Sequence, residues 1–303
     1  MKSYTAILFP AFVTDFIGCE NAELKKMGIE IGDYLQKAGL VLDLTAENLL
    51  KTEGQGRDQE LNIQYLTYIY SCAFSDAIRE RKIPLHYVSA YSMGIYAALY
   101  HSGSLPFSAG LMCIREAFRS ISETLSDDAF SMGLVGGLDR ADIDLLKTAC
   151  APECYIVNSN NQHTFVFSGP EQQIRDLLTA ARNEGALMTR MMEVSIPYHS
   201  PYLCPAADRF AVYLENTEVT STSLPYLSSL SLQWLSDPAA LRAEMARNLH
   251  QPFQWFESVK LLLSSGVKLF IECGAGEGLS KINKFINGDY RTLNLKNFLK
   301  NQT

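Results

Sequence analysis

The stretch from Leu85 to Leu99 constrains the fold of this chain more than any other. A short, mostly apolar run, Leu85 to Tyr91, stops at Ser92, and an alanine-rich helical pattern takes over behind it. Ala90 stands two positions before the serine and Gly94 two positions after it. Strand, serine and helix in that order are the layout of a nucleophile elbow, a sharp turn that lifts a serine hydroxyl off the end of a sheet. The flanking residues are small because the strand end and the first helical turn nearly touch there. The usual pattern has glycine at both flanks, and Ala90 departs from it by one methyl. By itself the pattern fits any elbow-bearing hydrolase, so the rest of the chain has to say which chemistry the serine serves.

With 303 residues the chain can build one large domain with an insertion, or two modest domains. A net charge of −7 speaks against a general nucleic-acid binder, which would carry a basic excess. The seven cysteines are scattered, odd in number and form no C-x-x-C pair, the pattern of reduced thiols in a cytoplasmic protein. The five histidines show no H-x-x-x-H spacing, so neither residue type calls for a metal. Met1-Lys2 ahead of Ala6 to Phe9 resembles the start of a signal peptide. That apolar run is short, meets Pro10 and reaches Asp15 without an A-x-A site, so it reads as a first strand. Nothing approaches the ~18 apolar residues of a membrane span.

In chain order, Tyr4 to Phe9 reads as a buried strand. Leu24, Met27, Ile31, Tyr34, Leu35 and Ala38 recur at helical spacing, with Gly39 as the stop. A helix from about residue 60 to 79 is apolar on most faces and predicts a buried helix. The elbow follows, then a loop at Gly103 to Pro106 and a helix through Arg115 to Leu125. From Ser126 to about Val194 the pattern becomes strand (Ser131 to Leu138), helix (Arg140 to Ala149), strand (Tyr155 to Asn158), strand (Thr164 to Ser168), helix (Pro170 to Gly185) and strand (Leu187 to Val194). That order is ferredoxin-like, a unit that closes on itself and can be inserted into another domain. After His199 the alternation of helix and strand returns, through a helix near Leu203 to Leu214, a strand near Leu224 to Ser228, a helix opened by Asp237-Pro238, a helix from Gln254 to Leu263 and the strand Lys268 to Cys273. A last helix carries Leu279, Ile282 and Ile286. The expected fold is α/β: an α/β-hydrolase-like parallel-sheet domain from residues 1–125 and 199–303, with a ferredoxin-like subdomain inserted at 126–198.

A serine hydroxyl is a poor nucleophile until a base takes its proton. His86, His101, His163 and His250 sit on a strand, at helix ends or in a turn, where packing or a backbone bond explains them. His199 lies in Ser195-Ile196-Pro197-Tyr198-His199-Ser200, where the chain leaves the expected insert and re-enters the main domain. A crevice between two units is where a site is expected.

Several segments together resemble the malonyl-CoA:acyl carrier protein transacylase family, which includes the acyltransferase domains of polyketide synthases. They are Ala90-Tyr91-Ser92-Met93-Gly94-Ile95-Tyr96, Glu60-Leu61-Asn62, Ile196-Pro197-Tyr198-His199-Ser200, Val157-Asn158-Ser159-Asn160 with Val166-Phe167-Ser168-Gly169, Leu224-Pro225-Tyr226-Leu227, Asn248-Leu249 with Pro252-Phe253-Gln254-Trp255, and Phe270-Ile271-Glu272-Cys273-Gly274-Ala275-Gly276. Their order and spacing span nearly the whole chain. The resemblance implies a cytoplasmic enzyme that moves a malonyl group from malonyl-CoA to the phosphopantetheine thiol of an acyl carrier protein by a ping-pong route, with no cofactor. It makes Ser92 the nucleophile and His199 the base, oriented by the backbone carbonyl at Asn248. It places the oxyanion on the N–H groups of Met93 and Phe12, and the malonyl carboxylate on an arginine, at Arg115 or else one turn on at Arg119.

Some positions depart from the family. The loop after the first strand reads Ala11-Phe12-Val13-Thr14-Asp15 where the family has Gly-Gln-Gly-Ser-Gln, and it brings an acid towards an anionic substrate. Tyr91 replaces the usual histidine before the nucleophile, and Tyr198 puts a bulky ring before the base, which in the family goes with malonyl. Lys281, Lys284, Arg291, Lys296 and Lys300 offer one basic patch for an acidic carrier protein, or simply a solvated face. A serine acyl-hydrolase editing carrier proteins, a transferase for another acyl group and a non-catalytic scaffold are the competing readings, and the last predicts loss of Ser92 or His199, both of which are present.

Overall fold

The structure is a computed structural model, and it describes residues 3–11, 18, 20–51, 56–125 and 129–300. In β1 (Tyr4–Phe9) the four consecutive residues Ala6, Ile7, Leu8 and Phe9 are all fully buried. A strand with that profile needs cover on both faces, the situation of a parallel sheet. Helices α1 (Asn21–Lys26), α2 (Ile31–Leu42), α3 (Ala46–Leu49) and α4 (Arg57–Glu80) precede β2 (Tyr87–Ala90), and α5 (Ile95–His101) and α6 (Phe107–Ser122) follow it. A second group of elements comprises β3 (Phe130–Gly136), α7 (Arg140–Cys150), β4 (Tyr155–Asn161), β5 (Thr164–Pro170), α8 (Glu171–Asn183) and β6 (Met188–Met191). The chain then adds α9 (Cys204–Glu215), β7 (Tyr226–Leu227), β8 (Trp234–Leu235), α10 (Pro238–Arg247), α11 (Trp255–Ser264), β9 (Val267–Glu272), α12 (Gly278–Asn283), β10 (Arg291–Leu293) and α13 (Leu295–Lys300).

Six strands form a sheet in the order β10-β9-β1-β2-β7-β8, parallel except for the antiparallel edge strand β8. Ile7 and Phe9 pack on one face with α4 and α5, while Ala6 and Leu8 pack on the other with Trp255, Val259 and Phe270. Helix α4 is buried on nearly every face because it packs with α2, α5 and α6 as well as the sheet, as its all-round apolar sequence predicts. The carboxyl ends of β1, β2 and β9 converge. The Tyr91 N–H donates to the Phe9 carbonyl at 2.9 Å and the Cys273 N–H to the Leu8 carbonyl at 2.8 Å. Open α/β sheets bind ligands at that edge.

The second sheet is antiparallel in the order β4-β5-β3-β6. Its alternation divides two cores, because side chains point to opposite faces along a strand. Val135, Phe165 and Phe167 pack under α7 and α8, whereas Met132, Val157 and Val166 face the main core. A backbone bond from the Phe253 N–H to the Val157 carbonyl at 3.0 Å joins β4 to the segment before α11.

Two local expectations change. The periodic run from Leu24 to Ala38 is not one helix: α1 stops at Lys26, Gly28 takes φ +81°, and α2 starts at Ile31. Nor does Gly39 end α2, which continues to Leu42 and closes on Asp43 at φ +57°. Gly39 is small for another reason, since a Cβ there would lie 2.5 Å from the Leu44 carbonyl oxygen where the chain folds back. Among the described residues, no helix is long and apolar enough to cross a membrane.

Candidate active site

The turn after β2 has the tight geometry its sequence calls for. Ser92 takes φ +53°, a left-handed conformation that costs a non-glycine residue about 1–3 kcal/mol and persists only where its surroundings impose it. A single 3-10 turn, Ser92–Gly94, leads into α5, closed by a bond from the Gly94 N–H to the Tyr91 carbonyl at 3.0 Å. A Cβ on Gly94 would stand 2.4 Å from the Phe9 carbonyl oxygen and 2.6 Å from that of Pro10. Gly94 is therefore small because it touches the end of the neighbouring strand β1. Behind the turn, the Gln64 amide donates to the Met93 carbonyl at 3.4 Å.

His199 closes on the serine from 107 residues away, with Nε2 at 2.5 Å from the Ser92 hydroxyl. It too sits in the left-handed region, at φ +60°. Its N–H donates to the Leu249 carbonyl at 2.8 Å. The ring Nδ1 lies 3.2 Å from the Gln251 carbonyl, so Nδ1 carries the proton and Nε2 is free to accept one. This corrects the carbonyl expected at Asn248. That residue is still in helical conformation at the end of α10, with its side-chain amide 3.8 Å from the Met93 sulfur, and the chain turns through three further residues before a carbonyl meets the imidazole. His199 is 1% exposed and Ser92 8%. Burial pushes the imidazole pKa down to about 4 against the opposing pull of the Gln251 bond, which keeps the ring neutral at pH 7. The Phe253 ring, with its centroid 4.6 Å from that of His199, supplies part of the apolar cover.

The other expected residues fare differently. Phe12 and Asp15 lie outside the described residues, so of the two expected oxyanion donors only Met93 can be located, next to Ser92 on the turn. Arg115 is half-buried on α6, and among the described residues no carboxylate pairs with it. Arg119 is exposed and already holds Glu116 at 2.8 Å and Glu123 at 2.6 Å. Tyr91 does more than pack: its hydroxyl donates to Asn160 Oδ1 at 3.0 Å and accepts from the Asn158 amide at 3.1 Å, tying the nucleophile turn to β4. The Tyr198 ring is buried and packs edge-on to Phe118 at 6.5 Å. Lys281 pairs with Glu277 at 2.9 Å.

The remaining histidines have structural partners. Thr5 N–H donates to His86 Nδ1 at 3.1 Å, Ser75 holds His101 at 2.7 Å, Asp139 holds His163 at 2.8 Å, and Cys204 lies 3.4 Å from His250. Sequence reasoning missed the parts played by Gln251 and Phe253, since a carbonyl carries no side-chain signature and a phenylalanine reads as core.

A buried serine hydrogen-bonded to a neutral imidazole, whose second nitrogen is fixed by a carbonyl, can attack an activated acyl group and pass its proton to the ring. Comparisons with known proteins agree with that chemistry. The acyl transferase domain family matches residues 87–277, which include both Ser92 and His199. Over 302 residues the chain is 26% identical to the malonyl CoA-acyl carrier protein transacylase of Bacillus subtilis (strain 168), spanning 96% of this chain and 93% of the relative. It is 25% identical over 298 residues to the protein of that name from Staphylococcus aureus (strain MRSA252), spanning 97% and 96%. The solved malonyl CoA-acyl carrier protein transacylase of Coxiella burnetii superposes with a TM-score of 0.87 at 22% identity, covering 99% of this chain and 97% of that one. A malonyl-transacylase solved in complex with a type II PKS acyl-carrier protein gives 0.86 at 24% identity, covering 99% and 100%. At these identities the structural likeness speaks for the fold, while the family match spans well over half of the sequence. The chain belongs to the acyl transferase domain family.

Proposed function

We propose that this protein transfers a malonyl group from malonyl-CoA to the phosphopantetheine thiol of an acyl carrier protein through an acyl-Ser92 intermediate. The observation that carries the reading is the 2.5 Å contact between the Ser92 hydroxyl and Nε2 of a neutral, carbonyl-anchored His199, in a chain whose relatives bear that activity in their names. Ser92 Oγ attacks the thioester carbonyl as its proton passes to His199 Nε2. The N–H of Met93 and one from the loop after β1, at Phe12, hold the oxyanion. The tetrahedral intermediate collapses, the C–S bond breaks, and the imidazolium returns its proton to the departing CoA sulfur. The carrier thiol then attacks the malonyl-serine ester, giving its proton to His199, and the released Ser92 oxygen takes that proton back.

Arg115 is the proposed carboxylate ligand, supported by its lack of a paired acid among the described residues, whereas Arg119 is committed to Glu116 and Glu123. A guanidinium fork favours a dicarboxylic acyl group over a simple one. In this proposal 1–125 and 199–303 form an α/β-hydrolase-like domain and 126–198 a ferredoxin-like insert. The β-α-β-β-α-β order of β3 to β6 and the strand order β4-β5-β3-β6 support that description. A cytoplasmic setting belongs to the same proposal.

The test presents malonyl-CoA or acetyl-CoA to the enzyme with a phosphopantetheinylated carrier protein and follows acyl-carrier and free acid by mass spectrometry. Malonyl-carrier is the expected product, and rapid release of malonate with no carrier product would make the protein a hydrolase. Arg115→Ala is expected to lower the preference for malonyl over acetyl by about 10²-fold, the scale of losing one partner of a buried charge pair. An unchanged preference would remove Arg115 from this role.

A further inference from the structure

His199 sits on a segment with no regular structure of its own. Between the end of β6 at Met191 and the single turn at Pro201–Leu203 no residue lies in a strand or helix. The start of this segment stays tied to β3, through the Met192 N–H on the Met132 carbonyl at 2.9 Å and the Ser131 hydroxyl on the Val194 carbonyl at 3.3 Å, and beyond Val194 those ties end. Backbone N–H groups in such a segment still need partners. The Tyr198 N–H finds one locally, at the Ile196 carbonyl 2.9 Å away, and the His199 N–H reaches the Leu249 carbonyl. The Ser195 N–H instead reaches a side chain from a distant helix, Glu60 in the first turns of α4.

Glu60 is a carboxylate with 6% exposure, and three donors from this segment converge on it. Oε1 accepts from both the Ser195 N–H and the Ser195 hydroxyl, each at 2.6 Å. Oε2 faces the Tyr198 hydroxyl at 3.5 Å, the outer limit of a hydrogen bond. Short bonds to a carboxylate are about twice as strong as neutral ones. Burial pushes the Glu60 pKa up, while the Ser195 and Tyr198 bonds and the positive charge of Arg57 pull it back. The bonded residues lie four positions and one position before His199, which holds a left-handed backbone that a free segment would relax. The segment is thus pinned on both sides of the imidazole, by Glu60 before it and by the Leu249 and Gln251 carbonyls around it.

We infer that Glu60 is a positioning residue for the base: it sets the path of 195–198 and so holds His199 Nε2 on the Ser92 hydroxyl, and through Tyr198 it fixes the ring beside the site. The inference rests on the reading of His199 as general base in acyl transfer. It requires acceptor geometry at Ser195 and not negative charge at His199. A glutamine satisfies it, because one amide oxygen accepts both Ser195 donors and the amide N–H faces the Tyr198 oxygen. Aspartate keeps the charge but is one methylene too short, and alanine leaves the Ser195 donors unpaired.

The experiment compares Glu60→Gln, Glu60→Asp and Glu60→Ala in two assays, malonyl transfer to a carrier protein and sulfonylation of Ser92 by phenylmethanesulfonyl fluoride, with melting temperatures as a control. Glu60→Ala and Glu60→Asp are expected to lose about 10–100-fold in both kcat and sulfonylation rate, the scale of a misplacement near 1 Å, with KM for malonyl-CoA moving about threefold or less. Glu60→Gln is expected to stay near wild type in both. Wild-type rates in Glu60→Ala would overturn the inference, as would equal losses in Glu60→Gln and Glu60→Asp. If Glu60→Ala does not fold, the Gln and Asp variants decide. A wild-type enzyme that is sulfonylated at Ser92 but never malonylated would overturn the malonyl reading and leave the Glu60 comparison standing.

Discussion

The nucleophile turn and the base segment solve one problem in two ways. Both force a non-glycine residue into the left-handed region, Ser92 at φ +53° and His199 at φ +60°. At Ser92 the turn is bracketed by regular elements, β2 before it and α5 after it, and it is pressed against the end of β1 through Gly94. At His199 a single turn follows at Pro201–Leu203 but the preceding strand ends back at Met191, and the segment between is held by Glu60, Leu249 and Gln251, which lie 135, 50 and 52 residues away from the groups they bind. The first half of the site is held between a strand and a helix and packed on a neighbouring strand, and the second hangs on hydrogen bonds from groups far away in sequence.

Variants can separate the two halves, and the largest expected effect comes from removing the proposed base itself. His199→Ala is expected to lower acyl transfer by about 10³-fold or more while Ser92 stays in place, measured as the rate of CoA release. A loss under tenfold would mean that some other group takes the serine proton.

That asymmetry also explains what could be read from the chain before its structure. Ala90, Ser92 and Gly94 sit within five residues, so the elbow is written in one short stretch and its strand and helix follow from it. The buried helix α4 and the helix start at Asp237-Pro238 are equally legible, because periodicity and caps are local signals. The family resemblance points to the Asn248 carbonyl and the structure to that of Gln251, because every residue has a carbonyl and only the turn after α10 decides which one arrives. Glu60 stood in a stretch already matched to the family, yet nothing near it in sequence announced Ser195. The break at Gly28 was hidden by apolar residues that keep helical spacing across it. The short edge strands β8 and β10 carry too few residues to show a period at all.

Gly94→Ala breaks the local half. A Cβ at 2.4 Å from the Phe9 carbonyl oxygen has no flexible side chain to push aside, only the end of β1. Such overpacking costs about 1–3 kcal/mol of stability. A shift of the elbow of about 1 Å is expected to lower the acylation rate by about 10–100-fold, read by denaturant melts and CoA release together. Unchanged stability and rate would show that β1 yields, and that the turn is not held as described.

The pH dependence sharpens the other half. The base must be neutral to accept a proton, and burial brings its pKa down to about 4. Activity is therefore present above about pH 4 and lost as the pH falls through it, dropping about tenfold per unit below. Ser92 sulfonylation followed from pH 8 to 3.5 on protein shown to be folded should stay flat to about pH 5. A midpoint near the ordinary histidine value of about 6.5 would mean that the imidazole is better solvated than its surroundings indicate.

The smallest expected effect belongs to Gln251→Ala. The group that orients His199 is the backbone carbonyl, which alanine keeps, so kcat should change by about twofold or less. A large loss would assign the role to the glutamine side chain and not to the chain's path.

The claim at the centre of this account is that Ser92 and His199 together form a covalent acyl-enzyme that waits for a thiol. Rapid mixing with malonyl-CoA in the absence of carrier protein tests it most directly. The account predicts a burst of one CoA per enzyme followed by near-arrest, abolished in Ser92→Ala and resumed on addition of phosphopantetheinylated carrier. Steady CoA release without carrier, or a burst that survives Ser92→Ala, would contradict it.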